Sequence, residues 1–436
     1  MMILATRLNL VSAQADITAA FVHAPLGPDE HIYVHQPAGF QRNGNLVLKL
    51  KKLVYGLRQS SRNFFHYLSE HLVAQGLTPS AYDPCLFIGK SIIVVVYVDD
   101  LLIYAKTDAD ITGLISSLKA AGICIRREGT AEGFLGMDIV RSPSSTSPQI
   151  TLLQTGLTKR IIEAVGLCSS LSTPINTPAE TSPLPKDADG QPASGSFNYA
   201  AVVGMLLYLS GHSRPDIAFA VHQCARYTFK PSRRHELALI RIGRYLKGTM
   251  DKGLIMTPSP EPHIDCYPDA DFAGLYGHED ARDPHCAHSR TGYVILAFGC
   301  PVLWRSRLQT EIALSTMEAE YVALSTACKD LLPLVSLIRE LSDAVGLDAT
   351  FVSNIHCKVH EDNVGALTLG RLEPRRMTPR SKHYAIKYHW FRDRVADPSQ
   401  RITLVKIDTK NQLGDLFTKG LALTSFVHLR RLLMGW

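Results

Sequence analysis

Between Ser91 and Tyr104 the chain sets two aspartates, Asp99 and Asp100, between the apolar runs Ile92–Val98 and Leu101–Tyr104. Runs of this length, rich in Ile and Val, read as buried strands. Their junction is therefore a hairpin turn carrying two adjacent carboxylates. Such neighbours repel, and burial of the flanking strands strips their hydration. A divalent cation, which takes hard oxygen ligands, relieves both problems. A third carboxylate, Asp16, also ends an apolar strand-like segment, so neighbouring strands would bring all three together. The plainer reading is a surface turn with acidic residues.

Around this feature, residues 1–140 alternate strand-like and helix-like segments, which predicts a mixed α/β layer. Leu46–Leu50 alternates like a strand, and Asn63–Gln75 carries Phe64, Leu68 and Leu72 on one helical stripe. Met1–Leu10 is largely apolar, but Arg7 interrupts it and no basic residue precedes it. It reads as a helix leading into a strand rather than a cleaved leader, so an intracellular chain is expected. A Ser/Pro loop spans 142–148, and a Pro/Ser/Gly-rich stretch at 172–196 marks the clearest boundary. Helical patterning follows from Tyr199, with Ser232 capping a helix over Arg233–Lys247. Strands return at Ile264–Tyr267, Gly292–Phe298 and Pro301–Trp304, before a helix over about Ser315–Cys328. The expected division is 1–141, 142–258 and 259–436.

Composition bounds the function. A chain of 436 residues with 46% hydrophobic and 20% charged residues is neither largely disordered nor a coiled coil. No uninterrupted apolar run approaches the roughly 18 residues of a membrane span, so no membrane partner is expected. Nine cysteines without a C-x-x-C pair fit a reducing compartment. Gly370–Trp436 holds 14 Lys/Arg against 5 Asp/Glu. That basic segment is either a polyanion contact or a solvated face.

A second acidic set lies downstream. Tyr267-Pro-Asp269-Ala-Asp271 ends a strand, Ser315-x-x-Glu318 opens a helix, Glu361-Asp362-Asn363 follows a strand, and Asp415 starts a further helix. Each alone is a structural residue, and Ser315-x-x-Glu318 is a capping box. His278, His285, Cys286 and His288 match no zinc spacing and read as a polar surface loop.

The motifs have a family likeness. Tyr97-Val98-Asp99-Asp100 resembles the YxDD box of reverse transcriptases, and the segment from Gln14 to His23 resembles their first palm motif. Tyr55-Gly56-Leu57-Arg58-Gln59-Ser60 and the segment from Ile32 to Phe40 resemble nucleotide-binding segments of copia-type retrotransposon enzymes. Phe134-Leu135-Gly136-Met137 is similar to their post-palm strand, and the order matches. The resemblance implies a right-hand palm and thumb with Asp16, Asp99 and Asp100 as metal ligands. It implies that Phe21 is a steric gate against a ribose 2′-hydroxyl, and that Tyr55, Gly56, Arg58, Gln59 and Ser60 line the substrate pocket. Ser61 stands where the family has proline. Only 15 residues precede Asp16, so a fingers region is expected to be largely missing and polymerisation weakened.

Downstream, Leu206-Leu-Tyr-Leu209, Arg214-Pro-Asp-Ile217 and Arg244-Tyr-Leu-Lys-Gly-Thr249 resemble the family's helical connection. The acidic set resembles its ribonuclease H-like α/β domain. Carried over, Asp269, Glu318, Asp362 and Asp415 would be its metal ligands, and Ala385 stands where the family has an acidic residue. The resemblance implies two Mg²⁺ per site, with Mn²⁺ as substitute. The implied partners are RNA template, DNA primer, RNA–DNA hybrid and deoxynucleoside triphosphates. The implied place is cytoplasmic, in virus-like particles, or nuclear. The rival expectations are a decayed fragment that only binds nucleic acid and a monofunctional ribonuclease H.

Overall fold

The computed structural model describes residues 1–42, 46–130, 132–142, 148–169, 172–344, 349–373, 376 and 388–436. Most of the Ser/Pro loop and the segment 382–385, with Ala385, lie outside the described residues. The chain forms two compact units: residues 1–132 with 336–349, and residues 133–335 with 350–436.

The first unit begins with α1 (Met2–Arg7), β1 (Val11–Ile17) and a small ribbon of β2 (Tyr33–His35) and β3 (Val47–Lys49). Next come α2 (Ser60–Ala74), β4 (Thr78–Pro79), β5 (Leu86–Ile88), β6 (Ile92–Tyr97), β7 (Asp100–Ala105), α3 (Asp108–Ala120) and β8 (Ile125–Gly129). Its main sheet runs β4-β5-β6-β7-β1-β8. Phe64, Leu68 and Leu72 of α2 are buried together with Ile111, Leu114, Ile115 and Leu118 of α3 in one core with Ala13, Ala15, Ile17, Leu101 and Ile103. The i, i+4 spacing of those helix residues is what lets each helix lay one stripe on the sheet. α3 starts at a capping box, in which Thr107 accepts from the Asp110 amide and Asp110 accepts from the Thr107 amide.

The second unit opens with β9 (Gly133–Phe134), β10 (Met137–Ser142), β11 (Gln149–Leu153), α4 (Thr155–Ala164), α5 (Tyr199–His212), α6 (Ala218–Ala225), α7 (Arg233–Gly248) and β12 (Leu254–Met256). The strands form a sheet in the order β12-β11-β10-β9. It continues through β13 (His263–Asp271), β14 (Arg290–Ala297), β15 (Cys300–Leu308), α8 (Thr316–Ala344) as far as residue 335, α9 (Ala349–Asn354) from residue 350, β16 (His356–Glu361), α10 (Val364–Gly370), α11 (Arg392–Ala396), β17 (Ile402–Lys406), α12 (Asp415–Thr418) and α13 (Leu423–Met434). These strands pair in the order β15-β14-β13-β16-β17, with β13 and β14 antiparallel and β13, β16 and β17 parallel.

Two readings change. The segment 172–196, which composition marks as a boundary, runs inside the second unit. The Leu184 amide donates to Gln223 at 3.0 Å, and Pro185 offers its carbonyl to His235 at 3.0 Å. Pro and Ser there signal only that the backbone takes its partners from neighbouring helices instead of its own ladder. The helix expected to end near Cys328 continues to Ala344 despite Pro333. Thr316–Ser342 has a mean hydropathy of 1.4 over its most apolar stretch, long and apolar enough to cross a membrane. A search for uninterrupted apolar runs misses it because polar residues are interspersed. With 61% of that stretch buried, it is accounted for as a core helix.

Candidate active sites

In the first unit, β1 lies between β7 and β8, and Asp16 faces Asp100 on β7 and Arg126 on β8. Tyr97 pairs with Asp100 across the β6–β7 hairpin, leaving Val98 and Asp99 as a two-residue turn. Such turns need positive φ, and Val98 supplies it at φ +57° although it is β-branched. The left-handed region costs an L-residue roughly 1–2 kcal/mol. The Asp99 carbonyl accepts the Ile17 amide at 2.9 Å, which fixes the turn against the end of β1. Burial, then Asp99 and Asp16, push the Asp100 carboxyl above its ordinary range, while Gln14 opposes them by hydrogen bonding. The three aspartates thus share one end of adjacent strands.

Phe21 sits on a short 3₁₀ turn, Ala20–His23, and is buried. Its ring lies 4.5 Å from that of Tyr55 and 5.9 Å, edge-on, from that of Phe64. Tyr55 is 60% exposed, so Phe21 joins the core to an open aromatic surface. Gly56 takes φ +97°, which bends the chain after Tyr55. Arg58 is exposed and Gln59 is half-buried. Ser60 is buried, and its hydroxyl donates to the Val54 carbonyl at 2.7 Å, which closes the 54–60 turn.

Among the described residues, one set of three acidic side chains offers oxygens within 4.8 Å of one another: Asp269, Glu320 and Asp362. Asp269 lies on β13 opposite Gly292 of β14. Asp362 follows the end of β16, the parallel neighbour of β13. Glu320 lies in the second turn of α8. The Asp362 carboxylate accepts the Thr409 hydroxyl at 2.8 Å, and the Thr418 hydroxyl donates to Asp269. Gln412 ties the strands together by donating to the carbonyls of Pro268 at 2.9 Å and His360 at 3.2 Å.

Glycines let α12 close on this group. A Cβ on Gly414 would stand 2.6 Å from the Asp269 Cβ and 2.8 Å from the Tyr267 carbonyl oxygen. One on Gly292 would stand 2.7 Å from the Phe417 Cβ and 2.9 Å from its backbone carbon.

The expected ligand Glu318 is not in the group. Its carboxylate accepts the Leu314 amide at 2.8 Å, and its own amide donates to the Ser315 hydroxyl at 3.2 Å. Those backbone bonds fix it as a helix cap. Glu320, two residues on, is turned to the buried stripe it shares with Ala323, Leu324, Ala327 and Leu331. That phase was the available signal. Glu361 was also passed over. In the alternating strand Cys357, Val359 and Glu361 point to one buried face, and Glu361 is fully buried.

Asp415 opens α12 beside Asp269, and Lys419 bridges them at 2.7 Å to Asp415 and 3.8 Å to Asp269. Burial, then Asp269, pushes Asp415 up to about 7 against the pull of Lys419. Burial, then Asp269, Glu361 and Asp362, pushes Glu320 up to about 11. Burial also holds Glu361 well above the carboxylate range. One oxygen each of Glu320 and Glu361 is buried without a hydrogen-bond partner. An all-oxygen set with orphaned, mutually repelling carboxylates fits a hard divalent cation.

Residues 1–180 match the family described as reverse transcriptase (RNA-dependent DNA polymerase). The chain is 32% identical over 433 residues to the retrovirus-related Pol polyprotein from transposon TNT 1-94 of Nicotiana tabacum, covering 95% of this chain and 30% of that protein. It is 31% identical over 420 residues to the Pol polyprotein from transposon RE1 of Arabidopsis thaliana, covering 95% of this chain and 26% of that protein. A putative transposon Ty5-1 protein of Saccharomyces cerevisiae is 29% identical over 71% of this chain and 98% of its own length. The chain spans less than a third of the two plant polyproteins. The match over residues 1–180 and the likeness over 95% of the chain agree with the motifs: the chain is similar to the reverse transcriptase region of copia-type retrotransposon Pol polyproteins.

Proposed function

We propose that the chain is an RNA-directed DNA polymerase that also cleaves RNA in an RNA–DNA hybrid, with one acidic site in each unit. In this reading the first unit is the palm. The second holds the thumb and connection followed by a ribonuclease H-like domain from about residue 259. The observation that carries it is the joint presence of Asp16 facing Asp100 beside a two-residue acidic hairpin and of the gathered Asp269, Glu320 and Asp362.

Asp16, Asp99 and Asp100 would hold divalent cations in the first site. Asp269, Glu320 and Asp362, with Asp415 beside them, would do so in the second. Mg²⁺ or Mn²⁺ held by these residues would neutralise the carboxylates and supply Lewis-acid polarisation of the reacting phosphate. The chain's own residues do the rest. The Asp99 carbonyl locks the hairpin to β1, and Phe21 with Tyr55 forms a wall beside the nucleotide sugar. Thr418 and Thr409 aim the carboxylates of Asp269 and Asp362. The basic segment Gly370–Trp436 adds phosphate contacts.

Two assays test the reading. Extension of a DNA primer on an RNA template by deoxynucleotides should be lost in Asp99→Asn. Cleavage of labelled RNA in a hybrid, with single-stranded RNA left intact, should be lost in Asp362→Asn. Absence of both activities with Mg²⁺ and with Mn²⁺ would contradict it.

A further inference from the structure

The carboxylates of the second unit are not uniformly bare. The oxygens of Asp269, Glu320 and Asp362 converge within 4.8 Å, whereas the Asp269–Asp415 side already holds a cation. The Lys419 ammonium lies 2.7 Å from Asp415 Oδ1 and 3.8 Å from Asp269 Oδ2. Among the described residues it is the one cation in ion-pair contact with these acids. Asp269 belongs to both halves, so a divalent ion bridging Asp269 and Asp415 would have to take the place of the ammonium.

The lysine is also the movable member. Its side chain is 39% exposed, against 2% for Asp269 and 9% for Asp415. The acids are fixed by strand β13, by the Thr418 hydroxyl and by the close approach of Gly414 to Asp269. A flexible four-carbon stem reaching in from solvent can withdraw and present its charge to a phosphate oxygen instead.

Resting on the ribonuclease H reading, we propose that Lys419 is a tethered counter-cation that guards the Asp269–Asp415 half of the site. The other half takes one divalent ion unaided. Occupation of the guarded half requires Lys419 to leave, and a substrate phosphate is the anion that draws it out.

The test uses Mn²⁺ titration of the full chain, free of nucleic acid, in an Asp99→Asn/Asp100→Asn background that empties the first site. One tight Mn²⁺ is expected with Lys419 in place. Lys419→Gln should gain a second ion or bind it at least tenfold more tightly, and Lys419→Arg should stay at one. Asp269→Asn should abolish binding in every background. Unchanged stoichiometry and affinity in Lys419→Gln would overturn the proposal while leaving the site intact. Unchanged binding in Asp269→Asn would instead overturn the ribonuclease H reading. If Lys419→Gln does not fold, amine labelling of the unmodified Lys419 side chain decides. Labelling should be slow without metal and at least several-fold faster when saturating Mn²⁺ and hybrid-length DNA are both present. A rate indifferent to both would overturn the proposal.

Discussion

Glu318 and Glu320 stand two residues apart at the start of α8 and serve opposite ends. Glu318 turns back to the Leu314 amide at 2.8 Å, whereas Glu320 enters the buried acidic group with Asp269 and Asp362. Two carboxylates in one helical turn are thus separated into a cap and a candidate ligand by phase alone.

The separation predicts opposite phenotypes. Glu318→Ala should lower stability by about 0.5–2 kcal/mol, the usual loss of a helix cap, and leave hybrid cleavage within a few-fold. Glu320→Gln should abolish cleavage. It should also hold or raise the metal-free unfolding temperature, because it removes a carboxyl buried among Asp269, Glu361 and Asp362. Thermal unfolding in EDTA and a cleavage assay on the same preparations check both.

The acidic group should make metal-free stability fall with rising pH. The Asp415 carboxyl sits at about 7 in the fold against an ordinary 3.8, so the folded state binds its proton more tightly than the unfolded state does. The stability this contributes is fully present below the ordinary value and is lost as pH rises through about 7. Glu320, at about 11, extends the loss to higher pH. Unfolding midpoints in EDTA from pH 4 to 8 should therefore decline. Asp415→Asn should flatten the part between pH 4 and 7, and Mn²⁺ should stabilise more at pH 8 than at pH 5.

Packing at α12 predicts a local defect. In Gly292→Ala the new methyl would meet the backbone of Phe417 at 2.9 Å and the Thr418 Cγ2 at 2.6 Å. Overpacking of this kind costs about 1–3 kcal/mol. It should push α12, with Asp415 and Lys419, away from Asp269. Hybrid cleavage should fall at least tenfold while primer extension is unchanged.

Phe21 predicts sugar discrimination. Phe21→Val shortens a ring held between Tyr55 and Phe64. Ribonucleotide incorporation relative to deoxynucleotide should rise at least tenfold in primer extension, with a core loss of about 1–3 kcal/mol. An unchanged ratio with the same loss of stability would make Phe21 a core residue only.

The acidic hairpin is legible because two apolar runs and an acidic interruption coincide there, and so is the Phe64–Leu68–Leu72 stripe of α2, whereas the strand order of either sheet is not. Asp99, Asp100 and Asp16 emerge where the residues suggested, and Asp269 rather than Asp271 joins the gathered group. Glu320 and Glu361 were not picked out, because a capping motif competes for attention at Ser315–Glu318 and a motif read in order ignores which face is buried. The Ser60 hydroxyl bond to the Val54 carbonyl is likewise not visible in the motif, because a polar residue can spend its O–H on the backbone. Lys419 was invisible because its partners, Asp269 and Asp415, lie 150 and 4 residues away in sequence and meet only through the β13–α12 contact.

The central claim is that one chain holds two independent acidic sites for two reactions. The most direct measurement runs primer extension and hybrid cleavage side by side on the full chain, on Asp100→Asn and on Asp269→Asn, in Mg²⁺ and in Mn²⁺. The account predicts that Asp100→Asn loses extension and keeps cleavage, and that Asp269→Asn loses cleavage and keeps extension. Loss of both activities in either folded variant, or of neither, would contradict it.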